Sequence, residues 1–128
     1  ITKLMKGVYY GGFHEDPSLI IAIVLDTKCW KESKHICGKD RKFEIIEAHE
    51  CIGIAGLNMI YGAHDLGINS CFLTPSQKDI SEILKLKKQD SCQLLIGFGY
   101  EKNGAFQKER ERRPLSELVS YEYFGGKK

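Results

Sequence analysis

The chain of 128 residues carries 42% apolar, 10% aromatic and 28% charged residues, the composition of one globular domain, which excludes disordered, collagen-like and membrane classes. Its net charge of +2 is matched by residues 101 to 113 alone, where five cations (Lys102, Lys108, Arg110, Arg112, Arg113) face three acids. So local an excess argues against nucleic-acid binding, which needs a broader basic face with interleaved aromatics.

The opening, Gly7 to His14, is rich in glycine and aromatics and passes through the turn residues Glu15-Asp16-Pro17-Ser18, so it reads as irregular structure leading into a strand. Ser18 to Leu25 is that strand. Its apolar run does not alternate, which predicts burial on both faces in the middle of a sheet. At seven residues from Leu19 to Leu25, the run is far short of the roughly 20 needed to cross a bilayer, so no membrane partner is expected. Residues Asp26 to Arg41 read as a surface excursion or a poorly patterned helix.

Glu44 to Leu66 carries the strongest pattern. Ile45, Ala48, Ile52, Ala55, Met59, Ala63 and Leu66 step by three and four, and Ile46, Ile54, Leu57 and Tyr61 cover much of the other side. A helix apolar nearly all round belongs in the centre of a fold or at a subunit interface. Gly53, Gly56 and Gly62 lower its helix propensity but let neighbouring backbones approach, and Gly67 is the expected C′ residue.

Asn69 to Leu73 reads as a short strand, Thr74-Pro75-Ser76 as a turn, and Asp79 to Leu86 as a short helix with Ile80, Ile83 and Leu84 inward. Ser91 to Tyr100 is a second strong strand, whose Gly97 and Gly99 are expected to admit a close backbone neighbour and form no dinucleotide fingerprint. A polar loop over Glu101 to Arg113 precedes a short helix opened by Pro114.

The five cysteines include no CxxC pair, and free thiols in a reducing cytoplasm are the reading that follows. Cys29, His35 and Cys37 supply three ligands where a closed zinc site needs four, so no metal is expected. His14, His35, His49 and His64 have no carboxylate or serine partner at a meaningful spacing and read as structural. The chain begins at Ile1, which points to a processed start or to part of something longer.

In this order, the segments "GINSCFLTPS", "LLIGFGYE" and "RERRPLSELV", following a strand and a long helix rich in small residues, resemble the C-terminal half of the FMN-dependent nitroreductase family. Gly67-Ile68-Asn69-Ser70-Cys71-Phe72 stands against that family's Gly-Leu-Gly-Ser/Thr-Cys-Trp, and Phe98-Gly99-Tyr100-Glu101 against Leu-Gly-Tyr-Pro. Arg110-Glu111-Arg112-Arg113-Pro114-Leu115 stands against Lys/Arg-x-Arg-x-Pro-Leu. The resemblance covers about residues 17 to 124. It implies an α+β fold with a central, mostly antiparallel sheet, flanking helices and a long buried helix at a homodimer interface. The family's Arg-Ser-x-Arg opening has no counterpart here, so the chain is expected to hold only the later part of one domain.

By the same resemblance, FMN is the cofactor, NAD(P)H the reductant, and a nitroaromatic, quinone or related small molecule the acceptor. The loop Leu73-Thr74-Pro75 would lie against the flavin ring, with a backbone N–H reaching N5; Pro75 has no N–H where the family commonly has glycine. Arg110 and Arg112 would bind the phosphate, for which forked guanidinium groups are suited, while Arg113 would be a surface cation. No side chain is expected to be catalytic, because the cofactor carries the chemistry. A non-catalytic or cofactor-poor subunit that dimerises or binds a small molecule is the alternative, and a metal-binding regulator built on Cys29, His35 and Cys37 is a third reading.

Overall fold

The computed structural model describes residues 1–9, 17–27, 41–105 and 109–126. The metal reading of Cys29, His35 and Cys37, the excursion over residues 28–40 and His14 lie outside the described residues. In chain order the elements are α1 (Thr2–Met5), β1 (Leu19–Leu25), α2 (Arg41–Asp65), β2 (Asn69–Leu73), α3 (Gln77–Leu84), β3 (Ser91–Gly99) and α4 (Leu115–Leu118). The strands form one antiparallel sheet in the order β1-β3-β2. This is the α+β architecture expected from the sequence.

β3 is the central strand and holds the core together. Its residues Cys92 and Leu95 pack with Met5, Leu73 and Ile80 on the face carrying α1 and α3, whereas Ile96 and Phe98 pack with Ala63 of α2 on the other. Cys92 and Leu95 share a face despite their odd spacing because the strand is bulged. Ile23 pairs with Leu94 and Val24 with Cys92, which leaves Gln93 as an extra residue opposite β1. A bulge turns the local side-chain alternation over, and it keeps the Cys92 side chain in the core. Burial pushes the Cys92 thiol above its ordinary pKa, so it stays neutral and acts as a small apolar side chain.

One expectation is corrected by the strand order. β1 lies at an edge among the described strands, and Leu19 and Val24 are exposed. An apolar run shows that both faces meet apolar neighbours, but it carries no information about which strands flank it. β3 has that central place, and four of its consecutive residues, Leu95 to Phe98, are buried.

The long helix forms as its periodicity predicts, three residues longer at the start. It stops at Gly67, which takes φ +70°, while Ile68 N–H donates to the Ala63 carbonyl and Gly67 N–H to that of His64, both at 2.9 Å. This pair of bonds is a Schellman cap, which favours glycine because only glycine takes positive φ without cost. Only one stripe of the helix meets the sheet: Ala48, Gly56 and Ala63 are buried, whereas Ile45, Ile46, Ile54, Leu57, Met59 and Tyr61 are exposed in the single chain.

The small residues also separate into two kinds. A Cβ on Gly56 would lie 2.8 Å from Leu94 Cδ2 and 3.2 Å from Phe72 Cε1, so this glycine sets how closely α2 approaches the sheet; a Cβ on Gly53 would meet nothing within 4 Å. Gly53→Ala is therefore expected to raise stability by about 0.5–1 kcal/mol, the usual gain of alanine over glycine inside a helix. Gly56→Ala should fail to deliver that gain because Leu94 and Phe72 must shift. Chemical denaturation of the two variants side by side checks the difference, and equal gains would refute the role given to Gly56.

Candidate functional site

The turn after β2 is built by three neighbours in sequence with three different exposures. Leu73, the last residue of β2, is 5% exposed and packs among Met5, Ile80, Cys92 and Leu95. Its side chain is committed to the core, so it can offer a ligand only its backbone. Thr74 is exposed, and Pro75 is buried again. Thr74 is thus the open position of the turn.

Residues that sequence reasoning passed over hold this turn in place. Val8 forms a bridge with Pro75, Tyr9 N–H donates to the Thr74 carbonyl at 2.9 Å, and Ser76 N–H donates to the Gly7 carbonyl at 2.6 Å. Gly7 is needed for this approach, since a Cβ there would fall 2.5 Å from Ile80 Cδ1. Beyond the turn, Ser76 is the N-cap of α3, and its hydroxyl donates to Asp79 Oδ2 at 2.6 Å. α3 starts two residues before the expected Asp79 because Ser76 opens it. No signal in the sequence joins Gly7–Tyr9 to residues some 65 positions away.

Leu73 also borders a cleft of about 220 Å³ on the α1 face of the sheet. Cys71, Gly97, Gly99 and Tyr100 line it as well, and the space exists because two positions of β3 carry no side chain. The close neighbour at Gly97 is a side chain and not the backbone the sequence suggests: a Cβ there would lie 3.3 Å from Pro17 Cβ and Cγ and 3.4 Å from Leu73 Cδ1.

The cationic segment lies apart from the turn in sequence and is exposed throughout 109–113. Arg110 and Arg112 line one groove of about 610 Å³, and Glu109 and Glu111 line it with them. Arg110 and Arg112 thus line the groove together with the two acids that alternate with them. Arg113 is absent from that lining. Pro114 takes the N-cap of α4, one position earlier than expected, with φ −60° and ψ 147°.

Two arginines lining one groove are a donor set that fits a phosphate group, since each guanidinium presents a fork of N–H donors that matches phosphate oxygens. Thr74, exposed on a turn whose carbonyl is already engaged by Tyr9, fits a position where backbone meets a planar ligand. Arg110, Arg112 and Thr74 thus fit FMN, whereas Glu109 and Glu111 in the same groove and Pro75, which has no N–H, do not add to that fit.

No protein-family model matches the sequence, and no curated protein matches it. Solved structures do. The fold is similar to that of a nitroreductase family protein from Streptococcus pneumoniae TIGR4, with a TM-score of 0.74 and 17% identity over 92% of this chain and 72% of that one. An FMN-dependent nitroreductase from Clostridium difficile R20291 gives a TM-score of 0.59 and 24% identity over 96% and 70%. A nitroreductase family protein from Clostridium difficile 630 gives 0.63 and 23% over 95% and 67%. At these identities the likeness establishes the fold, and its coverage agrees with a chain that holds part of it.

Proposed function

On the premise of a nitroreductase fold, we propose that the chain works in an FMN-dependent oxidoreductase, in which NAD(P)H reduces FMN and FMN then reduces a nitroaromatic, quinone or related acceptor. The observation that carries this reading is the likeness of nearly the whole chain to proteins of one redox fold, one of them described as FMN-dependent. When bound, the flavin would supply the electron transfer between the two substrates.

The chain's own residues would bind and orient. Arg110 and Arg112 hold the phosphate, each offering more than one N–H to it. Leu73 and Pro75, fixed in the core, set the direction of the turn, and the backbone of Thr74 lies against the ring. The apolar side chains left open on α2 support a homodimer, because Ile45, Ile46, Ile54, Leu57 and Tyr61 on one helix form more exposed apolar surface than scattered residues would. Among the described residues no helix is long and apolar enough to cross a membrane, and the described cysteines, Cys51, Cys71 and Cys92, are free thiols. A cytoplasmic protein accords with both.

Glu109 and Glu111 in the arginine groove, together with Pro75 in the turn, favour a second reading: a dimerising subunit that binds cofactor poorly. Titration of FMN with the purified chain separates the two. Quenching of flavin fluorescence that saturates at one FMN per chain supports the oxidoreductase, and a dimer in gel filtration that leaves the fluorescence unchanged supports the second reading.

A further inference from the structure

Both ring nitrogens of His49, on α2, face oxygen atoms. Nδ1 lies 2.6 Å from the carbonyl oxygen of Ile45, one turn back on the helix, and Nε2 lies 3.0 Å from Oε1 of Gln93 on β3. At the other end of the same amide, Gln93 Nε2 donates to Ser91 Oγ at 2.6 Å. Gln93 reaches the helix because it is the bulged residue of β3. In a regular strand it would share a face with Leu95, which packs on the opposite side of the sheet.

A carbonyl can only accept, so His49 Nδ1 carries a proton in this arrangement whatever the charge on the ring. The imidazolium then has a second N–H at Nε2 to donate to Gln93 Oε1. A neutral ring has none, and its Nε2 becomes an acceptor. Half a turn of the Gln93 amide meets that change: Gln93 Nε2 donates to His49 Nε2, and the Ser91 hydroxyl donates to Gln93 Oε1. Serine can do this because a hydroxyl both donates and accepts. The number of hydrogen bonds is the same in the two states.

We infer that Ser91, Gln93 and His49 form a proton-responsive relay that fastens α2 to β3 in both charge states of the histidine, with its donors reversing direction when the ring loses its proton. Along β1, β2 and β3 the ionisable side chains are the thiols of Cys71 and Cys92, and Cys92 belongs to the core cluster of Met5 and Ile80. Asp26 follows β1 and Asp90 precedes Ser91, at the strand ends nearest the relay. On α2 itself, Glu47 and Glu50 stand two residues before and one after His49, spacings at which helix side chains do not face each other. The consequence is a fastening that persists as pH crosses the range where histidine titrates, about 5 to 8.

Nitrogen-15 NMR of the full chain across that range tests the inference. Neutral His49 is expected as the Nδ1–H tautomer, and the side-chain amide signals of Gln93 are expected to move with the same midpoint as the His49 ring. Gln93→Glu, which can only accept, should favour the imidazolium and move the His49 midpoint upward from that of the unaltered chain. A neutral His49 found as the Nε2–H tautomer, or Gln93 amide signals that stay fixed while His49 titrates, would overturn the relay. Both of those readings come from the unaltered chain and do not depend on how the variant folds.

Discussion

Ile80→Ala should cost about 2–5 kcal/mol in denaturant unfolding, the range for removing a large aliphatic side chain from a packed core. Ile80 is 0% exposed and lies where α1, α3 and the sheet converge, in one cluster with Met5, Leu73, Cys92 and Leu95. A domain of this size is stable by only about 5–15 kcal/mol, so the loss is a large share of the total. The effect should also reach the candidate site, because residues 7–9 run over Ile80 and hold the turn: faster hydrogen exchange at the Tyr9 amide, whose bond to the Thr74 carbonyl depends on that seat, is the local sign. Ile54→Ala is the contrast. Ile54 is 61% exposed in the single chain, so its truncation should cost well under the Ile80 loss in dilute solution and should instead weaken association at higher concentration. A large loss from Ile54→Ala that is independent of concentration would refute the homodimer proposed for this face.

Much of this architecture could be read from the sequence, and the parts that could not share a cause. The long helix and its Gly67 stop, the span Asn69 to Leu73, and the strand beginning at Ser91 follow from local patterns: a 3.6-residue period, a positive-φ residue, an apolar run bounded by turns. Strand order is not local. The run at Leu19 to Leu25 reads as central, but among the described strands it lies at an edge, because β3, with its own apolar run, takes the place between two partners. The covered and open faces of α2 were likewise indistinguishable, since Ala48 and Ile54 are both apolar and only the position of the sheet decides which is buried. His49, read as structural and without a carboxylate or serine partner, meets an amide 44 residues away, that of Gln93, brought within reach by a bulge. At the candidate site, the sequence pointed to Leu73, Thr74 and Pro75 as one unit, whereas burial separates them into two anchors and one open residue. Arg110 and Arg112 were singled out by resemblance and spacing, and the structure places both on one groove.

That groove gives the second large effect. In FMN titrations, Arg112→Ala is expected to weaken binding by about 1–3 kcal/mol, the scale of losing hydrogen bonds to a charged group, which is roughly 5- to 150-fold in Kd. Arg113→Ala should change it little, because Arg113 does not line the groove that Arg110 and Arg112 share. The comparison removes one positive charge in each case, so a contribution from net charge alone would weaken both variants alike. Ionic strength supplies a second check: exposed charge attraction is screened over about 8–10 Å near physiological salt, whereas direct forked hydrogen bonds are screened less. The gap between the two variants should therefore persist when salt is raised. Glu111→Gln adds a test of opposite sign. Glu111 lies in the same groove, and removing its charge should tighten binding of an anionic phosphate group if that groove is where the phosphate sits. Equal losses from Arg112→Ala and Arg113→Ala, or no gain from Glu111→Gln, would take the phosphate away from this segment and leave the dimerising, cofactor-poor reading as the better account of the fold.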